Sequence, residues 1–385
     1  MKIAMMVRGF IPVPRPSDMV YVIIDLAQTI AEELAKRGHR IDFYAPDGSR
    51  LELPVVGRGE GLRPLATSRS ELNKLLKNVD LLTRYMPALW DQRLAIEMFQ
   101  RADAGEYDLL HFHHPESSLS LASLFPRVPV VYTLHDTLRN WHSDIFSMFA
   151  SPNQYCVSIS DRQRRNAPKL PYAATVYNGV DIDKYAFSPT HDDYLLFCGR
   201  IVPEKGVSEA VRIAKRTGQR LLIIGPVLPE NRQYFNKLIK PYLNDQIVYL
   251  GHKKSEETIP YFQKAKCMLL PLKWDEPFGV TMIESMSCGT PVVVMRRGSA
   301  PEVVEDGKTG FVCSRLKDLT EAVKKVDTIR REDCRTRVEN FFAISNMVDN
   351  YERLFASVIA QHAAKLAPLK ALGIQPSPVP ITLEK

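Results

Sequence analysis

Residues 194–224 read YLLFCGRIVPEKGVSEAVRIAKRTGQRLLII. The opening YLLFC is a five-residue apolar run of the kind a strand buried on both faces requires. GRIVPEKG interrupts it with Gly, Pro and charge, and Val207, Ala210, Val211 and Ala214 then recur at the spacing that puts them on one face of a helix. RLLII at 220–224 is a second buried strand. Strand, helix and strand in this order build parallel pairing, and the alternation continues through QIVYL, CMLLP, PVVVM and GFV. These residues predict a doubly wound α/β sheet.

The same pattern runs through the first part of the chain. KIAMMV at 2–7 is an apolar strand, Val20, Ile23, Ile24, Ala27, Ile30 and Leu34 have helical spacing, and RIDFYA follows Gly38 as a strand. DLLHF (108–112), VPVVYTL (128–134), YCVSI (155–159) and AATVY (173–177) supply further strands. Two Rossmann-like, doubly wound domains are therefore expected, over 1–178 and 193–345, joined by an Asp-rich connection at 179–192. Open α/β sheets bind ligands beyond the carboxyl ends of their strands, so the expected ligand site is a central cleft that the two domains face. The late helical pattern FFAISNMVDNYERLFASVIA predicts a helix over 346–362 that crosses back to the N-terminal domain. From Ala363 to the end at 385, four of the 27 prolines fall in a weakly patterned stretch read as a flexible or surface-strapped tail.

Composition agrees with this reading and narrows the function. A chain of 385 residues exceeds what one core comfortably serves. With 45% apolar and 25% charged residues it is neither disordered nor fibrous. The longest apolar runs are far short of the ~20 residues that span a bilayer, and MKIAMMVRGF lacks the long apolar stretch and small-residue cleavage site of a secretory signal. The six cysteines are at least 21 residues apart with no Cys-x-x-Cys, which suits reduced core thiols. A cytoplasmic protein is expected. The net charge of +7 comes with no nucleic-acid-binding signature, so no nucleic acid is expected as a partner. Residues 68–99 are helical, are read as broken at Pro87, and mix apolar residues with Lys74, Lys77, Arg84 and Arg93. A core-facing helix pair is favoured for them, with peripheral contact to the inner face of the membrane or to an acceptor as the other reading.

Two motifs carry chemistry. In EPFGVTMIESMSCGTPVVV (276–294), Gly279 opens a short helix whose N-terminus points to the loop after CMLLP, and free N–H groups there make an anion site. Glu276 precedes this helix and Glu284 lies about five residues in, roughly 7 Å along its axis, so both carboxylates can accept from sugar hydroxyls beside a phosphate. In GRIVPEKG (199–206), Arg200 and Lys205 put two cations on a strand-to-helix loop, an arrangement suited to a diphosphate.

Together these segments resemble the retaining glycosyltransferases of family four (glycosyl transferases group 1). The resemblance extends over nearly the whole chain through RGHRIDFY, TLHD, VSISDRQRR, YNGVD, GRIVPEKG, LLIIGP, YLG, EPFGVTMIESMSCGTPVVV and RGSAPEVVEDGKTGFV. It implies the α/β GT-B fold, a hexosyltransferase-type activity (EC 2.4) with a nucleotide-sugar donor mostly on the second domain, and a hydroxyl acceptor mostly on the first. By this resemblance Glu284 would hold the ribose hydroxyls and Glu276 would face the donor sugar. Arg200 and Lys205 would neutralise the diphosphate, helped by backbone N–H groups around Phe278, Gly279, Val280 and Thr281. His135 of TLHD would line the cleft near the reacting carbon, and Gly9 would lie close to the phosphates. The family usually has a Gly-Gly pair in the first strand-to-helix loop. Here the loop reads FIPVPRPSDMV, with Ser17 and Asp18 in roughly that place, so that either the loop takes a different path or Asp18 meets a polar acceptor.

No metal site and no cofactor beyond the donor are expected. Asp181-Ile-Asp183 spells Asp-x-Asp but sits in the connection, away from strand ends, and His111, His113 and His114 lie on a strand whose alternate residues point to opposite faces. GRGEG at 57–61 does not join a strand to a helix, so no dinucleotide fingerprint is present. A UDP-sugar is placed ahead of a GDP-sugar as donor. A GT-B sugar-nucleotide epimerase or glycosyl phosphorylase, and a non-catalytic nucleotide-sugar-binding protein, are the rival readings. The acceptor, whether saccharide, lipid-linked saccharide or small molecule, and the oligomeric state stay open.

Overall fold

The structure, a computed structural model, describes residues 1–19, 21–52 and 54–372, so Val20 and the tail from 373 on lie outside it. The chain divides into two units. The first comprises Met1–Ile159, Arg164–Val176 and the chain from Val348, and the second comprises Ser160–Gln163 and Tyr177–Met347.

The first unit holds strands β1 (Lys2–Met6), β2 (Arg40–Tyr44), β3 (Val56–Arg58), β4 (Leu109–Phe112), β5 (Val130–Leu134), β6 (Gln154–Ser158) and β7 (Tyr172–Thr175). They form one sheet in the order β3-β2-β1-β4-β5-β6-β7, every pair parallel. The strand order reverses between β1 and β4, so the loops leaving these two strands diverge and open a crevice at their carboxyl ends. Strands β4, β5 and β6 are buried at every position, which explains their largely apolar sequences, with His111, Thr133, Gln154 and Ser158 as buried polar members.

The second unit holds β8 (Tyr194–Cys198), β9 (Arg220–Ile224), β10 (Ile247–Tyr249), β11 (Cys267–Leu270), β12 (Val292–Met295) and β13 (Gly310–Cys313). Their order is β10-β9-β8-β11-β12-β13, again all parallel, with the reversal between β8 and β11. The loops after β8 and β11 are GRIVPEKG and PLKWDEPFG, the two segments singled out for their chemistry. Ser160–Gln163 join this unit because the Ser160 hydroxyl donates to the Pro277 carbonyl at 2.7 Å, and the N–H groups of Asp161 and Arg162 donate to Glu302.

Two local expectations need correction. Pro87 lies inside the Leu81–Asp103 helix and does not break the 68–99 segment; the break comes at residues 77–80, where Asp80 caps the new helix by accepting from the Thr83 N–H. The last helix runs Ile344–Ala371, past the point where the tail was expected to begin. Val348, Tyr351, Phe355, Val358, His362 and Leu366 keep one buried face through it. Lys365 donates to the Pro152 carbonyl and to the Tyr155 hydroxyl, each at 2.9 Å, so this part is strapped to the first unit by a continued apolar stripe. All six cysteines are buried and unbridged.

Candidate active site

In the second unit the two switch-point loops are locked together by close backbone approach. Gly206 has φ +77°, and a Cβ there would sit 1.9 Å from the Pro271 carbonyl oxygen, so only glycine lets the β8 loop rest on the β11 loop. That contact brings Lys205 to Glu276: ammonium and carboxylate form an ion pair with both side chains largely buried. The Trp274 indole N–H donates to the same carboxylate oxygen at 3.0 Å, and the Lys205 ammonium lies 5.3 Å from the Trp274 ring centroid. Residues given separate duties in the sequence reading are thus one polar cluster. Arg200, on the same loop, is exposed, and its guanidinium has no partner among the described residues.

The Val280–Ser287 helix starts beside this cluster. Its N-cap is Gly279, which offers no side-chain cap, so the first N–H groups of the helix are left for a ligand or water. The loop before it is pinned from several sides. The Phe278 ring is buried against Tyr177 and Phe342, the Ser299 hydroxyl donates to the Phe278 carbonyl at 2.7 Å, and the Ser299 N–H donates to the Glu276 carbonyl at 2.9 Å. Val280 and Thr281 are half-buried in the first turn. Glu284, one turn further on, accepts from the Tyr185 hydroxyl at 2.8 Å. Burial, reinforced by the Glu284 charge, pushes the Tyr185 phenol well above its ordinary range and keeps it a donor. Arg335 in turn donates to the carbonyls of Ile182, Tyr185 and Ser287, which fixes the connection against the helix. Trp274, Tyr185 and Arg335 were not singled out from sequence, and only Trp274, two residues before Glu276, lies near enough to a motif to have been suspected.

In the first unit the outcome differs by residue. His135 follows β5 directly, and its Nε2 lies 2.9 Å from Nδ1 of His113, which follows β4. Burial holds both imidazoles down, His135 to about 3. The Gly9 N–H donates to the Asp91 carboxylate at 2.6 Å, and a Cβ would come within 2.9 Å of the Trp90 carbonyl. Gly9 is needed so that the β1 loop can pack on the Leu81–Asp103 helix. Asp18 is likewise engaged within its own unit, where its carboxylate accepts the Arg69 N–H at 2.9 Å at the start of the Arg69–Leu76 helix. Of the other weighed motifs, the Asp181 carboxylate closes a turn by accepting the Asp183 and Lys184 N–H groups, and His111 and His114 bond Thr133 and Tyr21.

Comparison with known proteins places the chain in a class. The family model for glycosyltransferase family 4 matches residues 26–184, and that for glycosyl transferases group 1 matches residues 181–340. The chain belongs to the family 4 glycosyltransferases, has the GT-B fold, and is a sugar-transferring enzyme. Among curated relatives, N-acetyl-α-D-glucosaminyl L-malate synthase of Bacillus anthracis is 24% identical over 86% of this chain and 92% of its own length. D-inositol 3-phosphate glycosyltransferase of Mycobacteroides abscessus is 26% identical over 88% of this chain and 85% of its own. Among solved structures, sucrose-phosphate synthase of Thermosynechococcus elongatus superposes with a TM-score of 0.74 at 17% identity, covering 94% of this chain and all of that one. HepE of Anabaena, solved in complex with UDP, gives 0.68 at 17% identity, with 93% of this chain and all of that one covered.

Proposed function

We propose that the chain moves a sugar from a nucleoside-diphosphate sugar to a hydroxyl acceptor with retention of the anomeric configuration and without a metal ion. The observation that carries this reading is the convergence of Lys205, Glu276 and an uncapped helix N-terminus at the β8–β11 switch point. When the bond between sugar C1 and the phosphate oxygen breaks, positive charge develops on the sugar ring and negative charge on the departing diphosphate. On this reading Lys205, held beside Glu276, and the N–H groups at the start of the Val280–Ser287 helix meet that negative charge, and the exposed Arg200 swings in to join them. In the retaining step the acceptor oxygen bonds C1 from the face the diphosphate leaves, and its proton passes to the departing phosphate oxygen, so no separate carboxylate base is required. Glu276 meets hydroxyls of the donor sugar, and Glu284 those of the ribose.

A UDP-sugar is the favoured donor, in keeping with the UDP bound by HepE. Incubation with labelled UDP-sugars should release UDP at a rate that a chelator leaves nearly unchanged. Loss of activity with chelator, restored by Mg²⁺ or Mn²⁺, would sink the metal-free reading.

Glu284→Ala should weaken binding of UDP itself, because the ribose contact belongs to the nucleotide and not to the sugar. A charge-assisted hydrogen bond contributes about 1.5 to 3 kcal/mol, so the dissociation constant for UDP should rise at least tenfold in calorimetry. Equal UDP affinity in the two proteins would remove the role.

A further inference from the structure

The first unit has its own crevice at the β1–β4 switch point, and it contains a cavity of about 370 Å³. Phe10, Ile11 and Met19 from the β1 loop and Leu72 from the Arg69–Leu76 helix give it apolar walls. Arg69 and Arg84 line the same cavity, and neither guanidinium has a carboxylate partner among the described residues; Nε of Arg69 is buried without any hydrogen-bond partner. The third arginine present, Arg8, is already engaged by Asp91 and Glu116. An apolar chamber with two uncompensated guanidinium groups fits an amphiphile with an anionic headgroup.

The cavity does not end at the protein surface in the usual polar rim. Leu76 and Tyr85 line it and are also exposed, and beyond them lie Val79, 95% exposed, and Leu82, 68% exposed, with Leu81 and Leu89. Leu82, Tyr85 and Leu89 recur at i, i+3 and i+7 and share one face of the Leu81–Asp103 helix. Lys74, Lys77 and Arg84 flank this stripe and are exposed. The intervening acids, Glu71 and Asp80, cap the two helix starts through Thr67 and Thr83. An apolar stripe bordered by cations is the composition of a segment that lies in an anionic membrane interface.

We propose that the acceptor is an anionic lipid drawn from a bilayer, with its headgroup between Arg69 and Arg84 and the stripe from Leu76 to Leu89 resting in the interface. The inference names the acceptor class for the transfer proposed above and rests on that reading, but its test needs no transfer. The full chain, without donor, is sedimented with phosphatidylcholine vesicles that contain or lack phosphatidylglycerol. It should bind the anionic vesicles only, and less so as salt is raised. Val79→Ser with Leu82→Ser should reduce binding at least tenfold. Lys74→Gln with Lys77→Gln should reduce it roughly fivefold per cation. Monomeric octyl phosphate, followed by thermal shift, should stabilise the wild type and not Arg69→Gln. Binding to neutral vesicles as strong as to anionic ones, wild-type binding by either double variant, or equal stabilisation of Arg69→Gln overturns the proposal. UDP affinity measured on the same samples separates the two readings: intact UDP binding with failed vesicle binding removes this inference alone.

Discussion

Lys205→Ala should lower turnover about 100- to 1000-fold, the usual cost of removing one fixed donor to charge that develops in the transition state, or ~2.7 to 4 kcal/mol. Two effects add here. On the proposed reading the variant takes away a cation that meets the leaving diphosphate, and it strands the Glu276 carboxylate, which keeps only the Trp274 N–H as a described partner. A buried carboxylate without its cation then repels the diphosphate that has to approach it. The double variant Lys205→Ala with Glu276→Gln removes the repulsion and not the lost stabilisation, so it should recover nucleotide affinity but not turnover. Arg200→Ala should cost less than Lys205→Ala, because Arg200 is exposed and less of its field reaches the site unscreened. Steady-state kinetics with titration of UDP separate the terms. Near-normal turnover in Lys205→Ala would show that the charge clamp is wrongly placed.

The strands were legible because a parallel strand buried on both faces leaves an unbroken apolar run, as in YLLFC and VVYTL. The three-residue β3 was not, since Val56–Arg58 is partly exposed and carries Gly57 in place of a second apolar residue. Periodicity also misplaced the break in the 68–99 segment: proline draws the eye, but Asp80 supplies the cap that starts a new helix, and Pro87 sits buried on its inner face. At the site, residue types and loop positions could be read, but pairings could not. Lys205 and Glu276 are 71 residues apart and Tyr185 and Glu284 are 99 apart, and only the strand order β8-β11-β12 brings such loops together. For Gly9 the resemblance pointed toward the phosphates and for Asp18 its place in the loop left a polar acceptor open, but the protein partners of both could not be read from sequence. A loop without the Gly-Gly pair spends its free N–H on Asp91, and Asp18 is used to hold the Arg69–Leu76 helix.

The first unit should lose stability as pH falls below about 6.5, because the buried His111 and His113 fold as neutral rings. His111 and His113 are 0% and 1% exposed. His111 Nε2 bonds the Thr133 hydroxyl at 2.8 Å, which in turn meets the Tyr351 hydroxyl at 3.0 Å, while His113 Nδ1 meets His135. The remaining nitrogens, Nδ1 of His111 and Nε2 of His113, have no partner among the described residues. An imidazolium needs acceptors for both N–H groups, so burial pushes His111 down to about 3 and His113 well below its ordinary value. Between roughly pH 6.5 and 3 the unfolded chain therefore binds protons that the folded unit cannot, and stability declines as pH falls through that window. A ring kept neutral contributes a slope of about 1.4 kcal/mol per pH unit, so His111 alone removes about 2 kcal/mol by roughly pH 5 and His113 adds to it in the same direction, against the ~5 to 15 kcal/mol available to a domain. Urea unfolding at stepped pH, followed by a probe in the first unit, should show this slope. In His111→Gln, where the side chain no longer titrates, the slope should fall by about 1.4 kcal/mol per pH unit whatever its effect on absolute stability. The change in slope, and not the stability at any one pH, is what distinguishes a neutral buried imidazole from one that is merely well packed. A slope equal to wild type in that variant would mean that His111 is protonated in the folded chain.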